Sequence, residues 1–167
     1  MEDPKEKRHG ILNKVTTYPV HFSVVEEEIY LNSSSQFTEK IDYKKLIKQA
    51  IHFHSTGKVE KALKAYQECL NLGIEDSTIY SNYGILLKDL GKLKEAEILA
   101  KKAIKLKPNF PVFHLNLGTI LIEIGKLKEA EISTRKAIKL NPDLAEAHFN
   151  LGNIFRDYDQ LKEAELS

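Results

Sequence analysis

The sequence predicts an all-α fold made of antiparallel helix pairs. Three observations predict it: a 34-residue period from Tyr43 onward, small residues returning at fixed places in that period, and helical spacing of apolar residues on either side of a glycine turn. Aligned without gaps, the repeats run 43–76, 77–110, 111–144 and an incomplete 145–167. Ala50, Gly84, Gly118 and Gly152 share one position, Ala62, Ala96, Ala130 and Ala164 another, and Cys69, Ala103 and Ala137 a third. Small residues recur where helix backbones must come close, as expected for stacked units that cannot bury an apolar face alone.

Each repeat reads as helix, turn, helix. In the second, Tyr80, Tyr83, Leu86, Leu87 and Leu90 follow helical spacing, Gly91-Lys92 interrupts it, and Leu93, Ala96, Leu99, Ala100, Ala103, Ile104 and Leu106 resume it. Gly57, Gly91 and Gly125 fall in this turn, where a left-handed backbone costs glycine little. Asp159 takes the place in the last repeat, a residue that tolerates the same conformation, so a turn is expected there too. Pro108 and Pro142 stop the second helices of their repeats, because proline lacks the amide donor. Gly73-Ile74 is a weaker stop for the first repeat.

These residues resemble the tetratricopeptide repeat, whose signature is W-x2-L-G-x2-Y, then A-x3-F, then P. His114-x2-Leu117-Gly118-x2-Leu121, Ala130-x3-Thr134 and Pro142 keep its spacing, as do Tyr80-x2-Tyr83-Gly84-x2-Leu87, Ala96-x3-Ala100 and Pro108. The match extends from Tyr43 to Ser167 without the tryptophan, and the first repeat is atypical, with Leu46, Gln49 and Ala50 at the W, L and G places. The wording around Leu-Lys-Glu-Ala-Glu looks like bacterial members of the family. The resemblance implies a right-handed superhelical solenoid with first helices lining a concave face. Its sixth repeat position carries Lys48, Asn82, Asn116 and Asn150. Three asparagines one repeat apart are similar to the ladder of the O-linked N-acetylglucosamine transferase superhelix, which holds extended peptides by their main chain. A local hydrogen bond at each asparagine is the alternative, since an amide both donates and accepts.

The implied groove holds Asn82, Asn116, Asn150, Lys48, Lys88, Leu115, Ile122, Phe149, Asn153 and Arg156. The resemblance therefore implies a protein-interaction scaffold whose partner is an extended protein or peptide segment. A carboxylate clamp for chaperone tails is not expected, because Ile51, Ser81, Ile85 and Val112 stand where it needs lysine, arginine and asparagine. An alternative is that the array is the substrate-recruiting amino-terminal arm of a larger enzyme, for example a glycosyl-, sulfo- or methyltransferase.

Composition excludes several classes. There are 25 basic and 24 acidic residues and a net charge of +1, which argues against a nucleic-acid surface. No run of 18 apolar residues and no signal-peptide pattern occurs, so a cytoplasmic protein without a membrane role is expected. The single cysteine, Cys69, excludes an internal disulfide and reads as a small buried hydrophobe. No catalytic, cofactor-binding or metal-binding set is found: His52 and His54 point apart on a helix, His114 and His148 occupy the repeat's aromatic packing position, and no phosphate or dinucleotide loop is present. The expectation is a non-enzyme with no cofactor.

Residues 1–42 read as a partly disordered leader. Met1 to Arg8 is charged, Val20 to Val24 alternates like a strand, Glu26 to Leu31 continues it or forms a short helix, and Asn32 to Ser35 reads as a linker. It is either a flexible leader or an apolar segment, anchored by Phe22, Val24, Ile29 and Leu31, that docks on the array or on a partner. Ser167 falls inside the fourth repeat's second helix, so a longer parent protein and self-association through an uncapped carboxyl edge are further expectations.

Overall fold

A computed structural model describes residues 42–165, with side chains to Asp159. The expectations for the leader, and those for Ser167, lie outside the described residues. Within them the chain is all α-helical: α1 (Tyr43–Ser55), α2 (Val59–Asn71), α3 (Ser77–Asp89), α4 (Leu93–Leu106), α5 (Pro111–Ile124), α6 (Leu127–Leu140) and α7 (Ala145–Glu165). They divide into two compact blocks, residues 42–110 and residues 111–165.

The turns inside the helix pairs share one chemistry. Gly57, Gly91 and Gly125 have φ of 69°, 74° and 84°, and the amide after each reaches back five residues. Those bonds are Lys58 to the Phe53 carbonyl at 2.8 Å, Lys92 to Leu87 at 2.9 Å and Lys126 to Leu121 at 2.9 Å. This closure satisfies carbonyls that a helix end otherwise leaves orphaned, and only glycine takes the required backbone without strain. Gly73 does the same at the end of α2, with φ of 71° and the Ile74 amide on the Cys69 carbonyl at 3.0 Å. The stop that looked weak in sequence is thus firmly tied. At the starts, the Asp42 carboxylate accepts from the Lys45 amide, and Asp76 accepts from Thr78 and Ile79.

The expected turn at Asp159 is not formed. Helix α7 runs unbroken through it for 21 residues. Aspartate tolerates a left-handed backbone but gains nothing from it, and the following Gln160-Leu-Lys-Glu-Ala-Glu165 is made of strong helix formers. Continued helix is the cheaper course.

Each completed pair is held where small residues let backbones meet. A Cβ placed on Gly84 would lie 3.2 Å from the Ala96 carbonyl, and one on Gly118 would lie 2.6 Å from Thr134 Oγ1. Ala50, Ala62, Ala96, Ala103, Ala130 and Ala137 are fully buried beside these crossings. Tyr66 and Ile79 in the first block, and Phe113, Ile120 and Leu121 in the second, fill the space around them. Each contributes about 1.5–3 kcal/mol of burial. Gly152 occupies the same repeat position, yet nothing lies within 4 Å of its would-be Cβ. The reason is the straight α7, which does not fold back on itself.

The repeat position therefore predicts two opposite outcomes for one substitution. Gly118→Ala should lower stability by roughly 1–3 kcal/mol through overpacking against Thr134. Gly152→Ala should leave it unchanged or raise it by up to about 1 kcal/mol through helix propensity. Thermal unfolding of both variants checks this, and equal effects would show that the helix crossings are misplaced.

Candidate functional site

The first-helix faces carry the residues singled out by sequence, and the structure corrects their exposure. Asn82, Asn116 and Asn150 are 0%, 1% and 0% exposed. Lys88, Leu115 and Ile122 are buried as well, whereas Lys48, Phe149 and Arg156 are exposed and Asn153 is half-buried. Leu115 packs with Ala137 and Ala147 in a core cluster, with Ile138 and Leu144 against it. The physical reason is shape: an asparagine is short enough to sit between two helices, and a leucine beside it fills the same crevice.

In the block 42–110, Asn82 is hydrogen-bonded to the Tyr66 hydroxyl of α2. Tyr66 stacks on Tyr83 with ring centroids 5.4 Å apart, and its hydroxyl lies 3.2 Å from His54 Nδ1. The Tyr83 hydroxyl donates to Gln67 Oε1 at 3.2 Å. Burial pushes the Tyr66 hydroxyl well above the usual tyrosine range, while its bond to Asn82 pulls the other way. Burial also depresses His54, with Asp89 opposing it. A polar network thus runs from α1 through α2 to α3. Its asparagine is held from behind by a phenol, which fixes the amide's orientation. Lys88 forms an ion pair with Asp89 at 2.6 Å.

In the block 111–165, Asn150 Nδ2 donates to Thr119 Oγ1 at 2.9 Å, and that hydroxyl donates to the Leu115 carbonyl at 3.1 Å. The bond fixes Asn150 across two neighbouring first helices, α5 and α7. Asn150 Oδ1 is buried without a hydrogen-bond partner among the described residues. His148, expected to pack, is instead exposed, with Nε2 donating to the Pro142 carbonyl at 2.8 Å. Sequence reasoning missed the two hydroxyls that hold the asparagines. Tyr66 was findable, because Ala62-x3-Tyr66 keeps the A-x3-F spacing; Thr119 lies 31 residues before Asn150 and carries no such signal.

Among the described residues no group of acidic, histidine or cysteine side chains could hold a metal, and no helix is long and apolar enough to cross a membrane. Burial raises the Cys69 thiol to about 11.

Sequence profiles described as tetratricopeptide repeats match residues 77–110, 99–132 and 118–156. Residues 77–156 carry tetratricopeptide repeats. The array is similar to an O-GlcNAc transferase mutant from Thermobaculum terrenum, at TM-score 0.65 and 26% identity, over 71% of this chain and 23% of that one. The chain thus spans about a quarter of that enzyme's length. It also shares its fold with the second tetratricopeptide domain of human RPAP3 in complex with an HSP70 peptide: TM-score 0.60, 24% identity, 65% of this chain and 91% of that one. The first such domain of Spaghetti, bound to an HSP90 peptide, gives 0.67 and 19% over 72% and 96%. Comparison with curated proteins finds no significant match. Tetratricopeptide arrays of this kind are interaction modules, and the all-α helical-repeat fold of this chain is theirs.

Two titrations follow from the burial of the network. The His54 pKa is lower in the folded chain, so the unfolded chain takes up a proton first. The stability contributed by neutral His54 is full above about pH 6.5 and is lost as pH falls. Denaturant midpoints measured from about pH 8 to about pH 5 should fall for the native chain and fall less for His54→Gln. The Cys69 thiol should resist a thiol reagent at neutral pH until the chain is unfolded, since the thiolate is the reactive form; ready labelling of folded protein would place Cys69 outside the core.

Proposed function

We propose that the array is a protein-interaction scaffold whose first helices bind extended peptide segments, with Asn116 and Asn150 in the block 111–165, and Asn82 in the block 42–110, each reading peptide main chain within its own block. The observation that carries this is Asn150. Its amide nitrogen is spent on Thr119, and its carbonyl oxygen is a buried acceptor with no partner among the described residues. An orphaned buried acceptor costs about 1–3 kcal/mol, and a main-chain N–H of an incoming strand is the donor that would remove that cost. Asn82 is oriented in the same manner by Tyr66. In the block 111–165, Phe149, Arg156 and the half-buried Asn153 are the groups a ligand side chain meets first, so they set sequence preference, with Leu115 and Ile122 as the floor; in the block 42–110, Lys48 is exposed and Lys88 lies beneath. The buried Ile51, Ser81 and Ile85 do not form a carboxylate clamp, so a chaperone tail is not the preferred ligand.

A second reading is supported by the 26% identity to the transferase. The same groove would then recruit substrates for an enzyme of which this array is one part. The two readings share the binding chemistry and differ only in what the captured peptide is delivered to.

Peptides selected on the array from a random library test the first reading. Asn150→Ala should weaken them about 2- to 10-fold, the equivalent of roughly 0.5–1.5 kcal/mol, with helicity retained by circular dichroism. Methylating peptide main-chain nitrogens one at a time should reproduce that loss at alternate positions. Phe149→Ser and Arg156→Glu, both at exposed positions, should change which sequences are selected more than how tightly they bind. Peptides indifferent to both Asn150→Ala and main-chain methylation would remove the backbone-reading role.

A further inference from the structure

The face of α7 that holds Asn150 offers acceptors and negative charge. Glu146, Asn150, Asn153 and Asp157 follow one another at four, three and four residues, the spacing of a single helix face. Asn150 is buried, and the other three are half-buried. Its Oδ1 is an acceptor with no partner among the described residues, and among them Glu146 and Asp157 form no ion pair. On the neighbouring α5, the Thr119 hydroxyl that holds Asn150 is followed four residues later by the half-buried Glu123. The exposed Arg156 is the one lysine or arginine that α5 and α7 carry up to Asp159. The block is not short of cations: Lys128, Arg135, Lys136 and Lys139 are all exposed, and all stand on α6.

We propose that the extended peptides taken by the block 111–165 are basic, with lysine or arginine side chains meeting Glu146 on one flank of Asn150 and Glu123 and Asp157 on the other. The proposal rests on the main-chain-reading role of Asn150 given above and names the ligand class for that site. Charge complementarity selects this occupant. Carboxylates partly withdrawn from water without a counter-ion cost stability, and a ligand cation offsets that cost. An acidic tail would instead meet like charge on both flanks. The orphaned Oδ1 asks for a donor as well, so every unsatisfied group on this face calls for the same kind of ligand.

The helix rise places Glu146 about 6 Å before Asn150 along α7 and Asp157 about 10 Å beyond it. A strand lying across α5 and α7 at Asn150 turns successive side chains to opposite flanks. The long stems of lysine and arginine then carry a cation toward each flank. The ligand should therefore hold two basic residues at an odd separation, one for each side.

Selection of a random peptide library on the whole chain, followed by synthesis of the recovered peptides, tests this. Recovered sequences should favour lysine and arginine over aspartate and glutamate, with the odd separation, and should bind more weakly as salt is raised. Glu146→Gln and Asp157→Asn change charge with little change of shape. Each should weaken binding about 2- to 5-fold and lessen its salt dependence, with helicity retained by circular dichroism. Glu129→Gln, at an exposed position of α6, should change neither. Acidic or neutral peptides that still lose affinity with Asn150→Ala would overturn the basic class and leave main-chain reading standing. Basic peptides indifferent to Glu146→Gln and Asp157→Asn would overturn it too, because their cations would be bound elsewhere. Basic peptides weakened by both carboxylate changes but not by Asn150→Ala would support the charge class and sink main-chain reading. Recovery of no peptide would overturn both.

Discussion

The structure depends on the close approach of two helix backbones within each pair. At Gly84 the facing Ala96 carbonyl would be 3.2 Å from an added Cβ, and at Gly118 the facing Thr134 hydroxyl would be nearer still. Such contacts leave no room for a side chain on one partner and little on the other, which is why glycine and alanine return every 34 residues. Once the pair is closed, its turn geometry follows. The left-handed glycines at 57, 91 and 125 reverse the chain in the fewest residues and satisfy the helix-end carbonyls as they do so. The large apolar and aromatic residues then have a fixed crevice to fill.

This tight pairing explains how polar side chains come to be buried on the first helices. An asparagine at the sixth repeat position sits beside the crossing, and the fold supplies a hydroxyl to hold it: Tyr66 for Asn82 and Thr119 for Asn150. Holding an amide from behind is the preorganisation a recognition site needs, because the group then loses little freedom when a ligand arrives. It also has a stability cost wherever one end of the amide is left without a partner, as at Asn150 Oδ1. The His54, Tyr66 and Tyr83 cluster carries the same logic into the first repeat, where a buried aromatic network links three helices.

Helix α7 shows how far the periodicity governs and where it stops. Its first half keeps the repeat pattern and packs Ala147 against α5 and α6 as the third repeat requires. Past Asp159 the residues still spell the second helix of a repeat, yet the chain does not turn. A repeat-level pattern sets which faces are apolar. It does not supply the local driving force for a reversal when the glycine that would pin it is missing.

The 34-residue spacing, the small-residue positions and the proline and glycine stops are properties of the chain alone. From them the sequence by itself determined the helices, six of the boundaries that separate them, and the family, because the backbone geometry of a helix pair demands those residues at those places. It also determined which side chains belong to the first-helix face, since that is a matter of register. Only the tertiary structure decided whether those side chains are open or buried, for exposure depends on which atoms from distant positions arrive beside them. Asn82 and Leu115 read in sequence as surface residues of a groove and are buried, while His148 read as a packing residue and is exposed. Register is local and periodic. Burial is set by neighbours that sequence spacing does not name, such as the Thr119 hydroxyl that holds Asn150 from 31 residues away.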